Sequence, residues 1–333
     1  MQSSDVRLLL LVKGWMLSLS AKREEARQVI AAAEQLGEPG GEGPLMDGFS
    51  CAGASLTMLQ AVCPWGDVGA QLEFGRRAAE REGPGSPWQP VACWAVGMGL
   101  YYKGEPGEAD RWFAEWAALA PASAQWPAGA SSLAYRSLIA GEQGNLEEQR
   151  MLAESAAELV REHGTEKANG VVPLALGVSL AARGRPEEAQ PLIEGGAALI
   201  RSRGQPAEAA LALLHQGSVL RALGQRERSQ AATTEARSII GSYPDPGALT
   251  GRLKACAGSA REETSPGEGK LTRRERRVLQ LLTSDLSERD IGHELYVSHN
   301  TIHSHVRSIY RKLGVSSRAQ ALQPTRELRL LYP

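Results

Sequence analysis

The sequence predicts an all-α chain in which a solenoid of helical hairpins precedes a separate four-helix domain. Composition, a 40-residue spacing of glycines and a dense group of helix-start signals near the C-terminus predict it. The 333 residues are rich in Ala, Leu, Glu and Arg and only 5% aromatic, which favours helices over sheets. That length suffices for two hydrophobic cores. Net charge is −1, but it is unevenly placed. From Lys270 onward 12 basic residues face 6 acidic ones, whereas the preceding 269 residues hold 25 basic and 32 acidic. An acidic body with a basic tail is the asymmetry of a chain in which one part meets a polyanion, although a merely solvated basic face would look alike.

The body, residues 1–240, carries the repeat. Gly104, Gly144, Gly184 and Gly224 lie 40 residues apart. Four residues after each come Glu108, Glu148, Glu188 and, departing from the pattern, Arg228. Seven before come the small residues Gly97, Ser137, Gly177 and Gly217, and four before come Leu100, Ala140, Leu180 and Leu220. Apolar residues at helical spacing flank each glycine. Each glycine therefore ends one helix in a left-handed cap, and the acidic residue opens the next. The small residue lets the two helices cross closely. A fainter copy runs through Gly14, Leu17, Ala21, Glu25, Ala26 and Ile30. Residues 47–83 form a further pair turned around Pro64-Trp65-Gly66-Asp67, giving about six hairpins. Prolines and glycines over 241–270 mark a connector with one short helix near 248–257 and a flexible stretch from Gly258 to Lys270.

The tail, residues 271–333, opens on Thr272-Arg-Arg-Glu275, a capping box, followed by Val278, Leu279 and Leu282 on one face. Ser287 caps a short second helix with Ile291 and Leu295, and Tyr296-Val297 make a tight turn. Ser298 caps a third helix whose core stripe is Ile302, Val306, Ile309 and Leu313. Gly314 ends it, and Ser316 caps a fourth. A short helix, a tight turn and a longer amphipathic helix have the geometry that fits a DNA major groove. Residues 298–313 contain no Asp or Glu, which phosphate would repel. The candidate DNA-contacting set is Asn300, Thr301, His303, Ser304, Arg307, Arg311 and Lys312.

Two resemblances follow from these residues. The unit 93–121, with Gly97, Leu100, Gly104, Ala109, Phe113 and Pro121, resembles tetratricopeptide repeats, and its 40-residue period implies longer helices or connections than that family's. Leu271-Thr272, Arg274-Glu275, Val297-Ser298, Asn300-Thr301-Ile302, His305-Val306 and Lys312-Leu313-Gly314-Val315-Ser316-Ser317-Arg318 resemble the LuxR-type helix-turn-helix over about 271–322. That resemblance implies a third helix in the major groove, a fourth that supports dimerisation, and double-stranded DNA bound at two half-sites by a homodimer in a bacterial cytoplasm, at the nucleoid. His303 stands where the family usually has Lys, so one phosphate contact becomes that of a mostly neutral imidazole. His305 matches a common His and reads as structural. Pro324 interrupts the fourth helix.

The combination resembles MalT-like regulators, which also carry a P-loop ATPase. This chain lacks Gly-x-x-x-x-Gly-Lys-Ser/Thr: its Gly269-Lys270 is followed by Leu271. It is either a short relative or a piece of a larger regulator. The resemblance implies an inducer at the repeats, either a small molecule or a protein. Trp94, Tyr101, Trp112 and Trp116 are the candidate ligand contacts, with repeat packing as the plainer reading. Cys51, Cys63, Cys93 and Cys256 form no metal spacing and read as reduced thiols. Leu8–Val12 is too short for a membrane span. No nucleophile–base pair stands out, so no enzyme, cofactor or metal is expected. The competing reading is a repeat scaffold with a degenerate tail, prompted by His303 and Pro324.

Overall fold

The computed structural model describes residues 3–264, apart from 21, 37–43, 46–47, 64–66, 84 and 120–125, and residues 273–321, apart from 283–285, 296–298, 316 and 319. The turn at Pro64-Trp65-Gly66, the proline at 121, the cap residues Thr272, Ser298 and Ser316, the Tyr296-Val297 turn and Pro324 lie outside the described residues. Among the described residues there are sixteen α-helices and no strand. None of these helices is long and apolar enough to cross a membrane. The chain divides into two compact units, 1–256 and 257–333.

The first unit holds six hairpins. They pair α1 (Ser3–Leu19) with α2 (Arg23–Gln35), α3 (Ala52–Val62) with α4 (Val68–Arg81), and α5 (Gln89–Lys103) with α6 (Pro106–Leu119). They continue with α7 (Trp126–Glu142) and α8 (Leu146–Glu162), α9 (Val171–Ala182) and α10 (Pro186–Ser202), and α11 (Pro206–Ala222) and α12 (Arg226–Gly241). Gly104, Gly144, Gly184 and Gly224 all sit at positive φ, between 74° and 94°. The amide of the next residue then donates back to the carbonyl four places before the glycine. These bonds are Glu105 to Leu100, Asn145 to Ala140, Arg185 to Leu180 and Gln225 to Leu220, at 2.9–3.0 Å. This is the Schellman closure. Gly164 and Gly204 end α8 and α10 in the same left-handed region, so the underlying beat is 20 residues, one helix each.

The small residue of each first helix has a direct steric reason. A Cβ on Gly97 would lie 2.7 Å from the Phe113 ring, one on Gly177 would lie 2.6 Å from Ile193, and one on Gly217 would lie 2.8 Å from the Thr233 hydroxyl. Ser137 fills the equivalent place by donating its hydroxyl to the Gln149 carbonyl at 2.7 Å. The second helices bury one stripe each, as in Ala153, Ala156 and Val160 of α8. Their outer faces carry solvated pairs such as Arg150–Glu154 and Arg185–Glu188, each worth little. The first helices from α3 onward are buried over most of their surface, with Ala209–Leu214 of α11 buried without interruption, whereas α1 exposes Leu9, Val12 and Met16. The first two hairpins are braced by stacked Phe49 and Trp88, centroids 4.0 Å apart, with Trp15 against both.

The short helix expected near 248–257 within the connector is present and runs seven residues further, to Thr264. Here α13 runs over Leu249–Thr264, and Leu249 and Cys256 are buried in the repeat core with Leu253 packed against it. Gly251 and Gly258 lie inside this helix; each costs it about 1 kcal/mol, which burial of Leu249 and its neighbours offsets. Of the stretch expected to be a flexible linker, 258–264 continues the helix. Residues 265–272 lie outside the described residues.

The second unit contains α14 (Arg273–Leu282), α15 (Glu288–Glu294) and α16 (His299–Leu313). Val278, Leu279, Leu282, Ile291, Ile302, Val306 and Ile309 form its buried centre, joined by Ala321.

Two expectations follow for the repeat unit. Gly177→Leu should lower its stability by about 3 kcal/mol or more, because the added side chain meets Ile193 and the Ala189 carbonyl; urea titration measures it. A melting point equal to that of the parent would refute the close crossing. The second concerns pH. Burial pulls the His215 imidazole down to about 4, so the folded state favours the neutral ring. Its contribution is present above pH 6.5 and is lost as pH falls toward 4, on the order of 2–3 kcal/mol. Burial raises the Glu208 carboxyl, which acts in the opposite sense, so the comparison must be with His215→Gln, whose acid sensitivity should be smaller.

Candidate nucleic-acid interface

The second unit is organised around Glu275, a carboxylate on α14 whose side chain is only 5% exposed. Its Oε1 accepts the Ser308 hydroxyl at 2.7 Å, and its Oε2 accepts Lys312 Nζ at 2.7 Å. Residues 308 and 312 are one turn apart on α16, so a single carboxylate fixes that helix in both rotation and height. The sequence suggested a capping box for Glu275. The Thr272 half of that box lies outside the described residues, while the carboxylate itself reaches across the domain.

A second clamp comes from Arg318. Its Nε donates to the Leu282 carbonyl at 3.1 Å and its Nη1 to the Leu286 carbonyl at 2.8 Å. These contacts tie the end of α14 to the start of α15 and occupy carbonyls that a helix C-terminus otherwise leaves open. Ser287 and Asp290 then make a reciprocal capping box. The Asp290 amide donates to the Ser287 hydroxyl at 3.2 Å, and the Ser287 amide donates to the Asp290 carboxylate at 3.1 Å. Ser287 thus starts α15 as the sequence predicts. Gly314, at φ 66°, stops α16, and the Val315 amide closes onto the Tyr310 carbonyl at 2.9 Å.

With Ile302, Val306 and Ile309 buried, the opposite side of α16 presents His303, Arg307 and Arg311, all exposed and spaced four residues apart. Asn300, Thr301 and Ser304 lie on the same helix, but their side chains fall outside the described ones. Lys312 stands apart from the exposed set: its side chain is 21% exposed and its ammonium is engaged by Glu275. His303 Nδ1 lies 3.0 Å from Glu288 Oε2 on α15, a contact that one-helix reasoning had no means to find. His305 is half-buried beside the core stripe.

The four aromatic candidates on the repeats do not converge. Tyr101 is fully buried and donates its hydroxyl to Glu142 Oε1 at 2.7 Å. Trp116 is 6% exposed and packs against Phe113. Trp112 lies half-buried on α6 beside Glu108, Arg111 and Glu115. Trp94 lines a separate recess with Met98, Tyr102, Glu208 and Tyr243, whose volume of about 20 Å³ suits one water and no sugar. Tyr101 and Trp116 thus follow the plainer reading of repeat packing, while Trp94 and Trp112 are half-buried against the same core. Among the described residues no three His, Cys, Asp or Glu side chains gather to hold a metal ion.

Residues 269–324 match the family described as bacterial regulatory proteins, luxR family. Over 65 residues the chain is 43% identical to the HTH-type transcriptional regulator MalT of Vibrio cholerae, which is 20% of this chain and 7% of that protein. It is 42% identical over 52 residues to the spore germination protein GerE of Bacillus subtilis, covering 16% of this chain and 70% of GerE. The chain spans only 7–35% of the length of the first four curated relatives it matches. Among solved structures, a Rap protein complexed with competence and sporulation factor aligns over 94% of this chain and 99% of its own, at 12% identity and a TM-score of 0.47. The buried stripe of α16, its exposed cationic side and the match to most of GerE lead to one conclusion: the chain belongs to the LuxR family of bacterial regulatory proteins, through a helix-turn-helix at its C-terminus.

Proposed function

We propose that this protein is a sequence-specific, DNA-binding transcriptional regulator in which α16 enters the major groove and the helical repeats receive a signal. The observation that carries the reading is the exposed stripe His303, Arg307, Arg311 on a helix without carboxylates, set opposite a buried apolar stripe. Cations on one rigid face release counterions from the duplex, and a guanidinium also matches the two acceptors of a guanine edge. Asn300, Thr301 and Ser304 are assigned to base edges or phosphates from their places along the same helix. The Glu275 clamp supports this reading, because a helix held in rotation presents its outward side chains at one fixed angle. Lys312 is assigned a different part. Its pairing with a buried carboxylate makes it a support for the reading helix rather than a phosphate contact.

Two half-sites read by a homodimer in the bacterial nucleoid remain part of the proposal, since one such helix covers few base pairs. The repeats act in it by binding a small molecule or protein and carry no catalytic role.

The test is retardation of the full chain on a randomised duplex pool across a salt series. Retention should fall steeply with salt; absent or salt-insensitive retention would favour the scaffold with a degenerate tail. Arg307→Ala should weaken binding by about 1–3 kcal/mol and reduce the salt slope by about one phosphate. Lys312→Met should instead lower the melting point of the second unit and leave the salt slope unchanged, because the residue it removes holds Glu275. A reduced slope in Lys312→Met with unchanged melting would reverse the two assignments.

A further inference from the structure

We infer that the inner helices of the repeat unit form a docking groove for a peptide bearing an arginine, and that residues 243–256 of this chain occupy the groove as a displaceable resident. The inference deepens the signal-receiving role proposed above and rests on that reading for its consequence, though not for the docking itself.

A repeat in a solenoid touches its nearest neighbours. The segment after α12 does not behave as one. The Val68 amide at the start of α4 donates to the Asp245 carbonyl at 3.1 Å, and the Ala248 amide donates to the Tyr102 carbonyl of α5 at 2.6 Å. Arg252 Nη2 donates to Glu142 Oε2 of α7 at 3.0 Å, with its guanidinium 4.1 Å from the centroid of the Tyr101 ring. Cys256 Sγ reaches the Leu214 carbonyl of α11 at 3.5 Å. Within these few residues the segment touches four hairpins, three of them through their first helices. A peptide laid along a groove makes contacts of this distribution.

The chemistry of the seat is that of an interface rather than a core. One cation is held by a carboxylate and an aromatic face, and backbone groups pair at the entering end. Arg252 Nη1, Tyr102 Oη and His215 Nε2 are buried without a hydrogen-bond partner. His215 lies within electrostatic reach of both Glu142 and Arg252. A permanent interior leaves few such atoms unmatched. A peptide that keeps the arginine and supplies partners for Tyr102 and His215 gains contacts that the resident segment lacks. The resident's advantage is its tether, equivalent to a local concentration on the order of millimolar. Arg252 is therefore the anchor, and Tyr101 with Glu142 is its socket.

The experiment uses a fluorescent peptide of residues 243–258 added to the full chain, either unsubstituted or carrying Arg252→Ala. Weakening the resident should make the peptide bind the substituted chain at least tenfold more tightly, and a peptide with its own Arg252→Ala change should bind neither chain. Equal binding to both chains, or binding to neither, overturns the inference. Hydrogen exchange on the unsubstituted chain removes the dependence on a variant that folds. Amides of 249–256 should exchange at least tenfold faster than those of 209–214, while equal rates would mean that the segment leaves only on global unfolding and would also overturn it. Duplex retention by the same preparations separates the two readings: peptide binding without DNA binding sinks the regulator alone, and DNA binding without peptide binding sinks the docking alone.

Discussion

The left-handed glycine at the end of each repeat helix is the constraint on which the first unit depends. An L side chain at positive φ is strained, so the reversal of chain direction is fixed at Gly104, Gly144, Gly184 and Gly224, and again at Gly164 and Gly204. Once the reversals are fixed, the two helices of a hairpin run antiparallel and close. That closeness is what removes the side chain from Gly97, Gly177 and Gly217. One backbone requirement thereby generates a steric one, and the two together set which residues recur every 40 positions.

This explains why the hairpins were legible and what escaped. The four 40-residue glycines recur with their small and apolar companions, so the pattern announces itself. Gly204 repeats the companions in full, with Ala197 seven before, Ile200 four before and Glu208 four after, and Gly164 keeps Ala157 and Val160 but has Ala168 in the acidic place, so the half-period is written in the same residues as the 40-residue one. The end of the unit was legible as a helix near 248–257 but not in its full length. Pro244, Pro246, Gly251 and Gly258 carry the composition of a linker, yet Leu249 and Cys256 are buried and the helix continues to Thr264. Composition reports the cost of a helix, not the burial that offsets it. For the aromatic candidates, sequence does not show how much of a ring its neighbours cover: Tyr101 and Trp116 are buried, as the plainer reading of repeat packing has it.

In the second unit α16 was recognisable because its two faces differ so sharply in chemistry. Its supports were less so. The Glu275 to Lys312 pair spans 37 residues, and the Arg318 contacts span more than 30. No periodicity links residues so far apart, so Lys312 was grouped with its exposed neighbours. The pairing of His303 with Glu288 has the same origin and places an acidic group beside a helix that carries none of its own. A carboxylate there orients the imidazole, so the residue at 303 and its partner form one unit on this face.

The two units meet the problem of buried polarity in contrasting ways. Around Glu275 both carboxylate oxygens accept strong hydrogen bonds, and the buried charge is compensated within the domain. Such a site resists rearrangement, because removing either partner leaves a charge without solvation. Beneath α13 the interior holds Arg252, Tyr102 and His215 with groups unmatched. An unmatched group lowers the stability of the closed arrangement without lowering that of an opened one, where water supplies the missing bond. Full satisfaction suits the proposed role of a surface that keeps one shape against DNA, and incomplete satisfaction suits the proposed role of a seat whose occupant leaves. Single unmatched atoms also occur at Gln149 and Gln216, so it is the gathering of Arg252, Tyr102 and His215 under one segment that sets this seat apart.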